Sequence, residues 1–251
     1  MNKKLSLSIV IPVLNESNNI QILTNKIIFY LKRMNFEVIF VDDNSIDKSK
    51  KILNILKKKY KFFKPIFRKK KRDLTQSCFD GIKKSKYDNI LIMDGDMQHD
   101  PKYILPMLKI LKKHDCDIVV GARPLVKGPN QGLSETRRHV SNFLIFLFSV
   151  FNIKTIDPMS GFFLFKKNIY SENRKFFFGK GFKILADFLV NSKKNLKIKD
   201  VSIVFKRRYN DKSKMNLKVL LILIKFYFVS IFKKMQFFSS GHKKVFQQQR
   251  S

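Results

Sequence analysis

Apolar residues follow two rhythms along the first half of the chain. Short, mostly apolar runs at residues 7–13, 36–41, 62–67, 90–93 and 117–122 have the length and the flanking turn formers of buried strands. Between them, apolar positions recur at helical spacing: Ile20, Leu23, Ile27, Ile28 and Leu31, then Ile52, Leu53 and Leu56, then residues 75–85, then Ile104, Leu108 and Leu111. Ser17 and Asn18 are the cap candidates for the first of these helices. Strand and helix alternate five times, which predicts an α/β fold on a doubly wound, mostly parallel sheet with right-handed crossovers.

After Ala122 the alternation lapses. The pattern predicts a long apolar helix over 134–153, a turn at 157–161, a short strand at 162–165, a helix over 182–191 and a strand over 196–205. A basic loop, R-R-Y-N-D-K-S-K, comes next, and residues 217–235 read as an apolar helix with lysines at both ends. The expected organisation is one α/β unit over 1–215, with halves at about 5–125 and 126–215. An amphipathic helix at 216–238 and a disordered, Gln-rich tail at 239–251 complete it. Lys218 and Lys225 interrupt the apolar helix short of the roughly 20 residues that a membrane span needs. Pro12, Asn15 and Glu16 likewise make the N-terminal run a strand rather than a leader.

Charge changes this picture by raising the question of partners. Lys and Arg number 52 against 19 Asp and Glu, a net charge of +33. Such a surface favours nucleic acid, an acidic membrane leaflet or phosphorylated ligands. Lys, Asn, Ile and Phe are abundant together, as in a proteome with a compositional bias, so charge alone does not choose among them. Cys78 and Cys116 form no spaced pair with histidines; they read as small buried hydrophobes in a reducing compartment.

The scarce acids are more informative. Asn15-Glu16, Asp42-Asp43 and Asp94-x-Asp96 each follow a strand, and a parallel sheet brings all strand C-termini to one edge. These carboxylates are therefore expected along a single crevice. Asp94, Asp96 and Gln98 offer hard oxygens suited to Mg²⁺ or Mn²⁺, which would in turn hold a diphosphate. His99 would stand behind such a site rather than in it. The competing reading is that Asp94 and Asp96 cap the helix starting near Pro101.

Taken in order, I-V-I-P-V-L-N-E, V-D-D-N-S, M-D-G-D-M-Q-H-D-P, V-G-A-R, D-P-M-S-G-F-F, G-F-K-I-L and R-Y-N-D-K-S-K resemble the family 2 glycosyltransferases of the dolichol-phosphate mannosyltransferase type. The match runs from about residue 5 to 214. It implies a GT-A fold, with a Rossmann-like nucleotide-binding half before an acceptor half. It implies that Pro12, Glu16, Asp43 and Asp94 hold the nucleotide-sugar donor, and that Asp94, Asp96 and Gln98 hold the metal. Arg123, Arg137, Ser141, Arg208 and Lys214 fall to the acceptor phosphate or the diphosphate, and Asp157 to the edge of the acceptor site. Asp96 and Arg123 become the catalytic pair.

The implied reaction is inverting, metal-dependent transfer of a hexose, mannose from GDP-mannose, onto a polyprenyl phosphate such as dolichyl or undecaprenyl phosphate. The implied setting is peripheral, on the cytoplasmic face of a membrane, with the 216–238 helix on the membrane surface and a small membrane subunit as a further partner. The alternatives are UDP-glucose as donor, or a non-lipid saccharide as acceptor, on the same fold. A basic nucleic-acid-binding module would explain the charge but not the acids at three strand ends, and no nucleic acid partner is expected. The chain departs from the family pattern at Val13-Leu14, where the family has alanine and tyrosine. D-G-D replaces D-A-D, Asp211 and Lys212 replace glycine and glutamate, and Arg72-Asp73 stands where a glycine is usual.

Overall fold

A computed structural model describes residues 5–123, 151, 153–181, 183–204, 222 and 224–233. Contacts divide the chain into two units, Met1–Lys212 and Ser213–Ser251. The first opens with β1 (Ser6–Val13), α1 (Ser17–Leu31), β2 (Asn35–Asp42), α2 (Ser49–Lys59), β3 (Ile66–Phe67) and α3 (Leu74–Lys84). It goes on through β4 (Asn89–Ile92), a 3₁₀ turn at Pro101–Tyr103, α4 (Ile104–Lys113) and β5 (Ile118–Ala122). Beyond the undescribed stretch come β6 (Phe163–Lys166), α5 (Lys167–Asn173), α6 (Ile184–Asn191) and β7 (Ile198–Ser202).

These strands form one seven-stranded sheet in the order β3-β2-β1-β4-β6-β5-β7. All pairings are parallel except those of β6, which runs antiparallel to both β4 and β5. The five expected strands thus all run parallel, with β6 inserted between β4 and β5. Phe163, Leu164 and Phe165 are fully buried there. A run apolar at every position is what a strand covered on both faces requires. The third strand is also shorter than expected. Phe63 reaches Val38 through a single bridge, and the ladder resumes only at Ile66, because Pro65 between them has no N–H to donate. α5 had no forewarning, since its only large buried apolar positions are Ile169 and Tyr170.

Because strand residues alternate between faces, the sheet sorts its apolar residues into two layers. Leu7, Ile9, Ile11 and Val13 of β1 face α1, α2 and α4, packing with Ile20, Leu23, Ile27, Leu53, Ile104 and Leu108. Val10, Ile39, Val41, Ile90, Phe163 and Phe165 face α3, α5 and α6. That second layer is aromatic: Phe188 of α6 stacks on Phe177 with centroids 4.5 Å apart and meets Phe165 edge-on at 5.0 Å. Each such buried ring stabilises the fold by about 1.5–3 kcal/mol.

In the second unit, residues 224–233 are helical. Phe226 and Ser230 are buried on one side, while Phe228 and Phe232, one turn apart, are 64% and 63% exposed. No helix among the described residues is long and apolar enough to cross a membrane. The predicted helix at 134–153, the basic loop at 207–214 and the tail at 239–251 lie outside the described residues, apart from Phe151 and Ile153.

Candidate active site

The loops leaving β1, β2 and β4 share one edge of the sheet, and each turns through a left-handed residue. Among the described residues, the only non-glycine positions at positive φ are Asn15 (58°), Asn44 (62°) and Met97 (66°), one per loop. Asparagine tolerates this region; a methionine there is strained, a feature common in functional loops. The first two loops are laced together. Asn15 N donates to Ser45 Oγ at 2.9 Å, Ile46 N to Asn15 Oδ1 at 2.9 Å, and Asp43 N to Val13 O at 2.9 Å.

Helix capping does not occupy the clustered acids. Ser17 is the first residue of α1, not its cap, and its N–H donates to Asp47 Oδ2 at 3.0 Å. The same carboxylate accepts from Ser49 N of α2 at 3.0 Å. Burial pushes the Asp47 carboxyl up, but its bonds to Ser49 and Ser17 outweigh this and hold it below the usual carboxylate range. The turn at Pro101 is capped by Asp100, whose Oδ1 accepts from Lys102 N at 3.1 Å. Asp94 and Asp96 are therefore not spent on that helix.

In the loop after β2, Asp43 is buried and firmly held. Its Oδ1 is ion-paired with Arg68, and its Oδ2 accepts from Asp73 N at 2.7 Å. Arg68, 6% exposed, also donates to Asp80 Oδ2 at 3.0 Å and Ser77 Oγ at 3.1 Å. The sequence concealed this residue: it opens the run R-K-K-K-R, which reads as solvated surface. Glu16 accepts from Asn19 Nδ2 at 2.7 Å while its own N–H meets Ser49 Oγ at 3.1 Å. Pro12 is buried opposite Val41. Val10 O accepts from Met93 N and Val13 O from Asp43 N, so strand alternation turns Pro12 to the β4 side. There it lies past the last β1–β4 pair at Val10 and Ile92, where its missing N–H costs nothing.

On the far side of β1, Asp94 and Asp96 end β4. Asp96 Oδ1 accepts from Gln98 N at 3.2 Å, tightening the loop. His99 is buried and stacked on Phe162 at 5.1 Å. Its Nδ1 accepts from Asp94 N at 3.3 Å, so the ring braces the Asp94 backbone. Burial lowers its pKa, against the opposing pull of Asp94 and Asp96. Gly161 passes so close to Asp94 that a Cβ would stand 2.4 Å from Oδ2.

Arg123, at the end of β5, forks onto Asp157: Nε to Oδ2 is 2.7 Å and Nη2 to Oδ1 2.9 Å. The bond to Asp157 raises the guanidinium pKa further, ahead of an opposing cost of burial. Arg123 is still about half exposed. Lys183 completes this corner. It is half-buried just ahead of α6, among Arg123, Asp94 and Asp157, and burial followed by the neighbouring Arg123 lowers its pKa. In the sequence it stands within G-F-K-I-L with nothing to mark it among the other lysines. The two sides meet at Cys78, whose thiol burial pushes well up, with Asp94, Asp73 and Asp43 all among its charged neighbours. Arg137, Ser141, Arg208 and Lys214 lie outside the described residues.

No three His, Cys, Asp or Glu residues among those described form a ready-made metal cage. Two carboxylates and an amide, with Asp94 partly exposed, instead suit a hard cation that keeps water and substrate phosphate in its remaining positions.

The model of glycosyl transferase family 2 matches residues 8–174. The chain belongs to that family. It is 30% identical over 221 residues to a dolichol-phosphate mannosyltransferase of Pyrococcus furiosus, covering 86% of this chain but 61% of that protein. To the dolichol-phosphate mannosyltransferase of Saccharomyces cerevisiae it is 29% identical over 226 residues, covering 85% of this chain and 82% of that one. Among solved structures it resembles glucosyl-3-phosphoglycerate synthase from Mycobacterium tuberculosis, in complex with Mn²⁺, UDP-glucose and phosphoglyceric acid. There the TM-score is 0.68 at 16% identity, over 91% of this chain and 79% of that one. The family 2 member described here therefore has the GT-A fold, with its mixed sheet flanked by helices.

Proposed function

We propose that this family 2 protein transfers a hexose, mannose from GDP-mannose, to the phosphate of a polyprenyl phosphate, with inversion at the anomeric carbon. One observation carries the reading. Asp94 and Asp96 follow β4 within one turn, and Asp94 is in electrostatic contact with a forked arginine at the end of β5. This juxtaposes a cation-binding pair with a phosphate-binding fork, as a reaction between two anions needs. The named relatives support the choice of substrates.

A phosphate monoester has its second pKa near about 6, so the acceptor is already a nucleophile at neutral pH and needs no base. The work of the chain is positioning. Asp94, Asp96 and Gln98 would hold Mg²⁺ or Mn²⁺, which when bound supplies counter-charge for the departing nucleoside diphosphate. Asp43, fixed by Arg68 and the Asp73 amide, and Glu16 with Pro12 frame the nucleotide side. Asp157 fixes the plane of Arg123, which orients the acceptor phosphate. Arg137, Ser141, Arg208 and Lys214 complete this reading as further phosphate ligands. The exposed pair Phe228 and Phe232, between Lys225 and Lys233, supports a peripheral seat on a membrane surface.

The decisive experiment follows radiolabel from GDP-mannose and, separately, from UDP-glucose into the lipid phase with undecaprenyl or dolichyl phosphate. Mn²⁺, EDTA and Asp96→Ala are compared. Label from GDP-mannose that EDTA and Asp96→Ala both abolish is the expected result. Label from UDP-glucose alone would overturn the donor, and label in neither lipid would overturn the acceptor.

A further inference from the structure

We propose that Lys183 binds the acceptor phosphate of this site, standing beside Arg123 as a further cation of that pocket. The inference rests on the reaction proposed above and adds a residue to it.

Three observations carry it. The first is where the lysine lies: its charged neighbours are Arg123, Asp94 and Asp157, the corner where the cation-binding and phosphate-binding groups converge. The second is that it is half-buried and, among the described residues, its ammonium has no hydrogen bond or ion pair, although Asp94 and Asp157 are near. Asp157 is already forked by Arg123, and Asp94 belongs to the metal pair. A desolvated ammonium beside another cation is costly unless an anion joins them.

The third observation is that its backbone is fixed from both sides. Gly181 N donates to Asp73 Oδ2 at 2.9 Å, and Gly181 O accepts from Thr75 N at 3.0 Å and Thr75 Oγ1 at 2.9 Å. These bonds tie the approach to Lys183 onto the start of α3, where Asp73 N also holds Asp43. Behind it, Lys183 O accepts from Asp187 N at 3.1 Å. Asp187 gathers Phe178 N at 2.9 Å, Gly179 N at 2.7 Å and Asn191 Nδ2 at 2.8 Å. Next in sequence, Ile184, Leu185 and Ala186 are buried in the aromatic layer or beside it. A lysine on so rigid a mount presents its charge at a set place, and α3 couples that place to the nucleotide side.

The test compares full-length wild type with Lys183→Gln, Lys183→Met and Lys183→Arg. Initial rates are taken against polyprenyl phosphate at saturating donor, and against donor at saturating acceptor. Losing one charge-assisted bond to phosphate should raise the acceptor KM about tenfold to a hundredfold in the Gln and Met variants. The donor KM should stay within about twofold, and Arg should restore most of the loss. Thermal melts and Mn²⁺ binding equal to wild type would separate this from misfolding. An acceptor KM unchanged in both neutral variants, or a rise confined to the donor, would overturn the proposal while leaving the reaction intact. Should wild type transfer sugar to no polyprenyl phosphate, the reaction fails first. Lys183 is then judged by equilibrium binding of inorganic phosphate, where equal affinity in Lys183→Gln and wild type overturns it.

Discussion

A Cβ built on Gly95 would stand 2.6 Å from Val13 Cγ1 and 3.5 Å from Ile11 Cγ2, both in the packed layer under β1. Val13 is β-branched and 3% exposed, so it cannot swing aside cheaply. This joins two departures from the family pattern that look independent in the sequence. Where the family pairs two alanines, this chain pairs valine with glycine, and the volume removed at one position is spent at the other. Gly95→Ala alone should cost about 1–3 kcal/mol by overpacking. Val13→Ala alone leaves a small void, and the double variant should be more stable than the two losses summed. Urea unfolding of all four proteins gives the coupling; strict additivity would show that the two sites do not share space. At this scale the sequence was legible where chemistry marks residues, at Asp94, Asp96, Asp43 and Arg123. It was silent at Arg68 and Lys183, two cations among 52 Lys and Arg, because burial rather than identity distinguishes them.

Between elements, the join that matters most lies at the opposite end of β1 from the site. Glu37 of β2, 3% exposed, accepts from Ser8 Oγ of β1 at 2.6 Å and from Lys86 N ahead of β4, and pairs with Lys64 Nζ at 2.6 Å. Ser8 Oγ in turn accepts from Tyr87 N at 3.0 Å. Three strands are thus indexed by one carboxylate. Burial raises its pKa, but Lys64, Ser8 and Lys86 together outweigh burial and leave it below its ordinary value. The folded state therefore binds the proton less readily than the unfolded chain. Glu37 contributes stability that is whole above the ordinary glutamate pKa and drains as pH falls through the lower folded value. Glu37→Gln should cost about 1–3 kcal/mol at neutral pH, with the gap from wild type narrowing in acid. Denaturation at neutral and at acidic pH checks this, and a gap that stays constant would remove Glu37 from the acid limb. Sequence periodicity placed β1 and β2 here correctly, but it carries no sign that a lone Glu in an apolar run is a strand-joining buried acid.

For the molecule as a whole, the parallel half was readable because each strand there is followed by its own helix. The position of β6 was not, because strand order depends on which edges remain open once β1, β2 and β4 are paired, and an apolar tetrapeptide does not encode its neighbours. Net charge is the other whole-molecule property, and the proposed lipid acceptor gives it a use. On that proposal a surface at +33 would be drawn to an anionic leaflet, each basic residue close to the surface contributing about 1 kcal/mol at most, while the exposed Phe228 and Phe232 would add an apolar, salt-insensitive part. The two contributions separate experimentally. Sedimentation with vesicles of phosphatidylcholine and phosphatidylglycerol should show binding that weakens between 0.05 and 0.5 M salt, roughly in step with shortening of the Debye length. Phe228→Ser with Phe232→Ser should lower binding about tenfold or more at every salt concentration and leave the salt slope unchanged. If the double variant binds as tightly as wild type, the aromatic pair is not the membrane contact and charge alone holds the protein there. If wild type ignores anionic vesicles even at low salt, the peripheral seat falls, and the lipid acceptor would have to be delivered by a partner.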